Sequence, residues 1–361
     1  MRWAETSAVP LERAPEVLAR CLPDARVVFV AESDHFAHET HLARRALLPY
    51  LVDRGARALL EEIAASDGRR IQRYLDTGQP GWLDRVATFG NTAVLRTDRD
   101  DRMGGLLATP SYPFAAMRFE HQRTLDTVAG RGICFVGLDM DALPGGVYED
   151  IDGLSRVAGE SRADEIRRLS AIAATRPDQA VALSAHLDGL RFLEACAGAQ
   201  DWSGIQVAMT EREAGLFGRA AAALAIHPDA VVLGHVGHLV RAPAAMRMLD
   251  VLAGPPPRTL GSRIAERGPV ASIWTLHGEG STAHALAGLP ETHALVPGTL
   301  NALLSGVGEA FVLPIRGTEG EVLLDDPMIC TWQNGGRFEA RLARQADAIV
   351  FFRRITPLHE V

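Results

Sequence analysis

Short apolar runs recur along the chain at residues 26–31, 56–60, 132–138, 230–233, 270–276, 309–313 and 348–352. Longer stretches with helical spacing separate them. This alternation predicts an α/β fold with a mainly parallel central sheet flanked by helices. Between the first two runs, residues 37–53 place Leu42, Ala46, Leu47 and Leu51 on one face of a helix that Pro49 is expected to kink. Residues 155–225 are rich in Ala, Arg, Glu and Leu and carry no strand signal, which predicts an α-helical insertion between two parts of the sheet. Residues 1–361 are therefore expected to form one unit carrying that insertion. Residues 96–105 and 254–258 read as exposed loops.

Four of the predicted strands end in polar groups. RVVFVA leads into Glu32, Ser33, Asp34 and His35, and ARALL into Glu61 and Glu62. GICFVGL leads to Asp139 and Asp141, and AVVLG to His235 and His238. Ligands of open α/β sheets bind at the carboxyl ends of the strands. Four strands that bring Glu, Asp and His to that edge mark the candidate site. Each group also has a plainer reading. Acidic residues and Ser suit the first turn of a helix, which fits Ser33 and Asp34 better than Glu32. His35, His38 and His41 recur every third residue and invite a metal, but on a helix they fan over about 120°. HETH also lacks the H-E-x-x-H spacing of zincins, so no metal is expected. His235 and His238 suit metal ligands, a base with an anion-binding partner, or loop histidines. The segment from His277 to Ser281, HGEGS, reads as a Gly-rich turn after a strand.

Composition narrows the chemistry further. Of the 361 residues, 45 are acidic and 37 basic, for a formal net charge of −8, and every basic residue is arginine. Without lysine there is no Schiff base, no P-loop lysine and no Ser-Lys pair. Proton transfer falls to histidine and the carboxylates, since arginine stays charged. A net negative chain without basic runs argues against nucleic acid or an anionic membrane as partner. No signal-peptide h-region and no apolar run of spanning length is present, and Cys21, Cys134, Cys196 and Cys330 form no C-x-x-C pair. These features fit reduced thiols in a cytoplasmic protein. No G-x-S-x-G elbow and no G-x-G-x-x-G follows a strand, which removes the standard serine hydrolase and dinucleotide-binding templates.

The segment VVFVAESDHFAHETHLARRALLPYLVDRGARALLEEI resembles the opening of the erythromycin esterase family, which includes succinoglycan biosynthesis-type homologues. Glu32, His35, Glu39, Arg44, Gly55 and Glu62 fall in register with its G-E-x-x-H-x-x-x-E motif, the following arginine and the second strand. ICFVGLDMDALPGGVYED is similar to the family's F-x-G-x-D segment and places Asp139. VVLGHVGHLVRAP is similar to its A-H-N-x-H strand end and places His235 and His238. GSRIAERGPVASIWTLHGEGST and QADAIVFFRRITP continue the likeness to the tail.

The resemblance implies hydrolysis of a lactone or other ester of a natural product such as a macrolide, in antibiotic resistance or biosynthesis. It implies a deep cleft, a histidine that activates water without an acyl-enzyme, and neither metal nor cofactor. Carried over, His35 is the general base, Glu32 orients it, and Glu62 is a second carboxylate. Arg44, His235 and His238 surround the reacting carbonyl. Asp34, Phe36, Glu39, Asp139 and Val236 are expected to line the small-molecule site. Ala31, Phe36 and Val236 stand where the family has Gly, Gly and Asn, and Asp34 adds a carboxylate beside the base. The same base in a water-poor cleft also suits elimination or intramolecular cyclisation, and a ligand-binding member without turnover is the third possibility.

Overall fold

The computed structural model describes residues 2–84, 86, 114–141, 151, 153–155, 157–176, 179–198, 202–250, 256–283, 290–332 and 336–359. Its strands are β1 (Val9–Pro10), β2 (Val27–Glu32), β3 (Ala58–Ala64), β4 (Cys134–Asp139), β5 (Ala230–His235) and β6 (Met246–Met248). They continue with β7 (Val270–Ala283), β8 (Pro290–His293), β9 (Ala310–Pro314), β10 (Met328–Thr331), β11 (Arg337–Ala340) and β12 (Ala348–Ile355). The main sheet has the order β1-β9-β12-β7-β2-β5-β3-β4, with β8 added to β7. From β12 to β4 every pairing is parallel, while β1, β9 and β8 join antiparallel. Strands β10, β11 and β6 form a separate small sheet.

The parallel strands are buried on both faces because their residues alternate between two cores. Phe29 and Ala31 of β2 join Val232, Trp274 and Leu276 on one side. Val28 and Val30 join Leu59, Val231, Ile273 and Val350 on the other. The described helices of six or more residues, in chain order, are α1 (Arg2–Ser7), α2 (Ala14–Cys21), α3 (His38–Asp53), α4 (Ala65–Thr77) and α5 (Phe114–Asp126). After them come α6 (Arg162–Thr175), α7 (Ala180–Gly198), α8 (Trp202–Ile226) and α9 (Leu260–Ala265). Helices α2 and α3 cover the second face with Val17, Leu18, Leu47, Leu48 and Leu51. Helices α8 and α9 cover the first with Leu216, Ala220, Leu260 and Ile264. The described part of the 155–225 segment is mainly helical, as α6, α7 and most of α8, with residues 157–161 in turns before α6. Helix α3 runs through Pro49 to Asp53.

Two local contacts set the site end of the sheet. The first turn of α3 is held by the chain after β12: the His38 N–H donates to the Thr356 carbonyl at 3.0 Å. The start of α4 lies directly on β4, since a Cβ on Gly68 would stand 2.1 Å from the Gly137 nitrogen. Asp141 accepts from the Ser66 N–H and hydroxyl there, at 3.1 and 2.6 Å. That places a carboxylate at a helix N-terminus, where it satisfies an open donor.

One sequence expectation is corrected. HGEGS is not a turn, because β7 continues through it to Ala283. Its glycines allow close approach to β12. A Cβ on Gly278 would lie 2.5 Å from the Arg353 carbonyl oxygen, and one on Gly280, at φ +142°, 2.0 Å from that of Ile355. The 96–105 loop lies outside the described residues, as do residues 254 and 255 of the other expected loop. All four cysteines are free thiols, with Cys21 and Cys330 buried. Among the described residues, no helix is long and apolar enough to cross a membrane.

Candidate active site

Glu32 is the last residue of β2 and pairs in register with His235, the last residue of β5. The chain then turns, and His35 folds back so that its Nδ1 lies 2.6 Å from Glu32 Oε1. The other Glu32 oxygen is 2.7 Å from an Arg44 nitrogen of α3. Arg44 also donates to Glu61 Oε1 of β3 at 2.7 Å, and His121 Nε2 of α5 approaches the same oxygen at 3.1 Å. A buried chain of ion pairs and hydrogen bonds therefore runs His35–Glu32–Arg44–Glu61–His121. A small cavity among these residues is also lined by His41, Glu62 and Gly234.

The neighbouring residue Glu62 points to the opposite side of β3 and anchors a second network. Glu62 Oε2 accepts the His235 backbone N–H at 2.8 Å. Its Oε1 lies 3.0 Å from His238 Nε2 and 3.1 Å from an Arg212 nitrogen. Gly234 permits this packing, because a Cβ there would be 3.0 Å from Glu62 Oε2. Arg212, on α8, grips Asp139 with two bonds of 3.0 and 2.5 Å. Glu213 holds His238 Nδ1 from the other side and accepts the Leu260 N–H at 2.6 Å. His238 is thus sandwiched between two glutamates.

The two networks meet where the His35 and His235 rings face each other, 5.2 Å apart between centroids. His235 Nδ1 accepts the Gly237 N–H at 3.1 Å, which assigns the neutral ring its proton on Nε2. No hydrogen bond of normal geometry reaches that buried Nε2 among the described residues. The Ser33 carbonyl nevertheless lies near enough to favour the protonated ring. The Trp332 ring stands 5.2 Å away on the far side.

These surroundings split the histidines into opposite charge states. Burial and the nearby His35 push His235 down to about 3, so it stays neutral. Burial also opposes charge on His238, but Glu213 and Glu62 outweigh it and raise its pKa to about 10. For His35, burial is again outweighed, by the Glu32 hydrogen bond and the charges of Glu62, Glu32 and Asp34, and the pKa rises above its ordinary value. Glu62 would be raised by burial, yet His238, His35 and Arg212 hold it well below the usual carboxylate range. Burial is likewise overcome at Glu61, where Arg44 and His121 bring the pKa to about 2. Geometry and charge together provide a carboxylate-held base, a neutral ring with an N–H donor, and a fixed imidazolium in one place.

The structure brings Glu32, His35, Arg44, Glu62, His235, His238 and Asp139 together. Four other sequence candidates lie elsewhere or do other work. Both Glu39 oxygens bond Thr356, at 2.8 and 2.9 Å, so Glu39 fastens the chain after β12 to α3. Val236 points into the core with Leu239 and Val240. Phe36 packs on Met117, Met140 and Phe192, edge-on to His35 with centroids 6.1 Å apart. Asp34 accepts the Phe36 N–H at 2.7 Å and approaches His293 at 3.4 Å. The three evenly spaced histidines do not converge: His38 pairs with Glu120 and His41 with Thr124. Sequence reasoning missed Arg212, Glu213, His121 and Trp332. The first two lie in TEREAG inside a helical stretch whose polar residues carry no mark of direction.

No established family profile matches the sequence. Solved structures do share its fold. A succinoglycan biosynthesis protein aligns with a TM-score of 0.69 at 17% identity, covering 100% of this chain and 97% of its own. A Bacillus cereus protein gives 0.69 at 16% identity, covering 100% and 98%. The erythromycin esterase EreC, a point variant in its open conformation, gives 0.61 at 17% identity, covering 98% of each chain. The resemblance read from the motifs thus holds at the level of the fold along the whole chain.

Proposed function

We propose that the chain hydrolyses an ester or lactone of a small natural product, with His35 as the general base toward water. The observation that carries this reading is the Glu32–His35 pair facing a neutral His235 whose buried Nε2–H has, among the described residues, only the poorly aligned Ser33 carbonyl near it. With Nδ1 held by Glu32, His35 exchanges its proton at Nε2. It takes a proton from water as the oxygen attacks the carbonyl carbon. The carbonyl π electrons move to oxygen, where the His235 N–H stabilises the developing charge and the His238 imidazolium and Arg212 add positive potential. Collapse expels the alkoxide, which recovers the proton from His35. Arg44, bridging the carboxylates of Glu32 and Glu61, keeps Glu32 in place. The fold shared with an erythromycin esterase supports hydrolase chemistry, and the site residues make the reaction specific to this arrangement.

A panel of aryl esters and macrolide lactones incubated in ¹⁸O water tests the proposal. One labelled oxygen should appear in the product acid, and His35→Ala should lower kcat/KM by about 10²–10⁴-fold. An unlabelled isomeric product would instead favour base-catalysed cyclisation or elimination, a reading helped by the apolar packing around Phe36. Binding without any product would mark a ligand-holding protein. Side chains supply every group the reaction uses, so turnover should survive exhaustive EDTA treatment. Loss of activity restored by a divalent ion would overturn that expectation.

A further inference from the structure

A second buried group of ionisable side chains lies beside this site and supplies no group that touches the reacting atoms of the proposed reaction. It forms where three elements converge. Ser33 continues β2 alongside β7, its N–H bonded to the Thr275 carbonyl at 3.1 Å. This brings Asp34 toward His277 of β7, and β8 pairs His293 opposite Gly280. Asp34, His277 and His293 are all buried, and each offers one ligand atom within 4.8 Å of the others. We propose that Asp34, His277 and His293 bind a divalent transition-metal cation, separate from the catalytic histidines and outside the reaction assigned to them.

The chemistry of the group points to a cation. Two imidazoles and one carboxylate suit zinc, cobalt or ferrous iron, whereas magnesium and calcium take oxygen ligands. The rings of His277 and His293 meet edge to face at 5.0 Å. Partners behind the ligands are also in place. His277 Nδ1 lies 2.9 Å from the Ser33 hydroxyl, which directs Nε2 toward a metal. The Asn301 side chain donates to the His277 carbonyl at 2.6 Å. The Thr282 hydroxyl lies on the ligand side instead, 3.1 Å from His293 Nε2 and 3.5 Å from Asp34 Oδ2, where an incoming ion would displace it or take it as a further oxygen donor. Bonds of about 2.0–2.2 Å space tetrahedral ligands by roughly 3.4 Å, so small ring rotations close the site. The glycines on either side of Glu279 matter here too, because they let β7 stay extended against β12 and keep His277 facing inward.

The experiment is metal binding by the intact, metal-stripped chain, using Zn²⁺ and Co²⁺ as probes and Mg²⁺ as control. About one equivalent of Zn²⁺ or Co²⁺ per chain should bind, with no comparable Mg²⁺ binding. His277→Ala and His293→Ala should weaken Zn²⁺ by at least about 100-fold, and Ser33→Ala by about 10-fold through loss of the ring's support. Among the described residues, His38, Glu120 and His359 form the other group within reach of an ion, so His359→Ala should leave binding unchanged. Should the ligand variants fail to fold, proton NMR of the Co²⁺-loaded unmodified chain should show paramagnetically shifted resonances from two imidazoles. Absence of stoichiometric binding would overturn the proposal, as would binding lost in His359→Ala but kept in His277→Ala. The readout is occupancy, so its failure is distinct from failure of the hydrolase reading.

Discussion

Glu32 illustrates how one side chain sets both the position and the acidity of its neighbour. Its Oε1 fixes the His35 ring through Nδ1, while its other oxygen is held by Arg44. In the proposed hydrolysis the base is active only when unprotonated, so the low-pH limb of kcat/KM should report the His35 pKa. Glu32 raises that pKa, and Glu32→Gln removes the negative charge. The limb should therefore move to lower pH, with the plateau reduced because the ring loses its anchor. A pH–rate profile of the variant checks this; a limb that stays in place would show that Glu32 does not face the base. At this scale the sequence was informative where side chains terminate strands. Glu32, Glu62 and His235 break apolar runs and draw attention for that reason. Val236 shows the limit, because a residue between two site histidines can still point into the core, and only the turn geometry decides which way.

Among the elements, α8 does the most to assemble the site although the sequence marks it only as helix. Arg212 reaches Asp139 at the end of β4 and Glu62 on β3. Arg219 on the same helix donates to the Leu138 carbonyl at 2.5 Å. Replacing Arg212 with Met takes the cation from buried Asp139 and leaves Glu62 to His238, and should destabilise the chain by about 3–5 kcal/mol in urea unfolding. The start of α4 is a second rigid point. Gly68→Ala drives a methyl into the Gly137 backbone and should cost about 1–3 kcal/mol or more, measured the same way. Strand positions were legible because buried parallel strands are short and uniformly apolar. Their ends were less so. Strand β3 runs on through Glu61 and Glu62 to Ala64, and β7 through a Gly-rich segment that composition alone assigns to a turn. In both cases tertiary packing overrides the local preference.

For the molecule as a whole, the buried histidines set the dependence of stability on pH. His235 and His277 have folded pKa values of about 3, and His41 is also held well below its ordinary value by burial and nearby His121 and Arg44. Below about pH 6.5 the unfolded chain binds protons there that the folded chain refuses, and each such group removes about 1.4 kcal/mol per pH unit. His35 and His238 act in the opposite sense. Their folded pKa values are raised, so their contribution is complete below the unfolded value and disappears as pH rises, for His238 through about 10. Denaturation midpoints measured from pH 4 to 10 should therefore peak near 6–7 and fall on both sides. His238→Gln should flatten the alkaline side, and a midpoint still rising at pH 9 would contradict this balance.

Arg212 and Glu213 are consecutive residues in one turn of α8, and each bonds a different part of the sheet edge. This constrains how relatives of the protein can diverge. A deletion or insertion between that turn and Arg219 would rotate the pair by about 100° per residue and detach both grips at once. Changes in length beyond the ends of α8 carry no such penalty. Descendants of this scaffold can accordingly exchange the helices that precede Trp202 while inheriting the same buried networks of histidine, carboxylate and arginine intact.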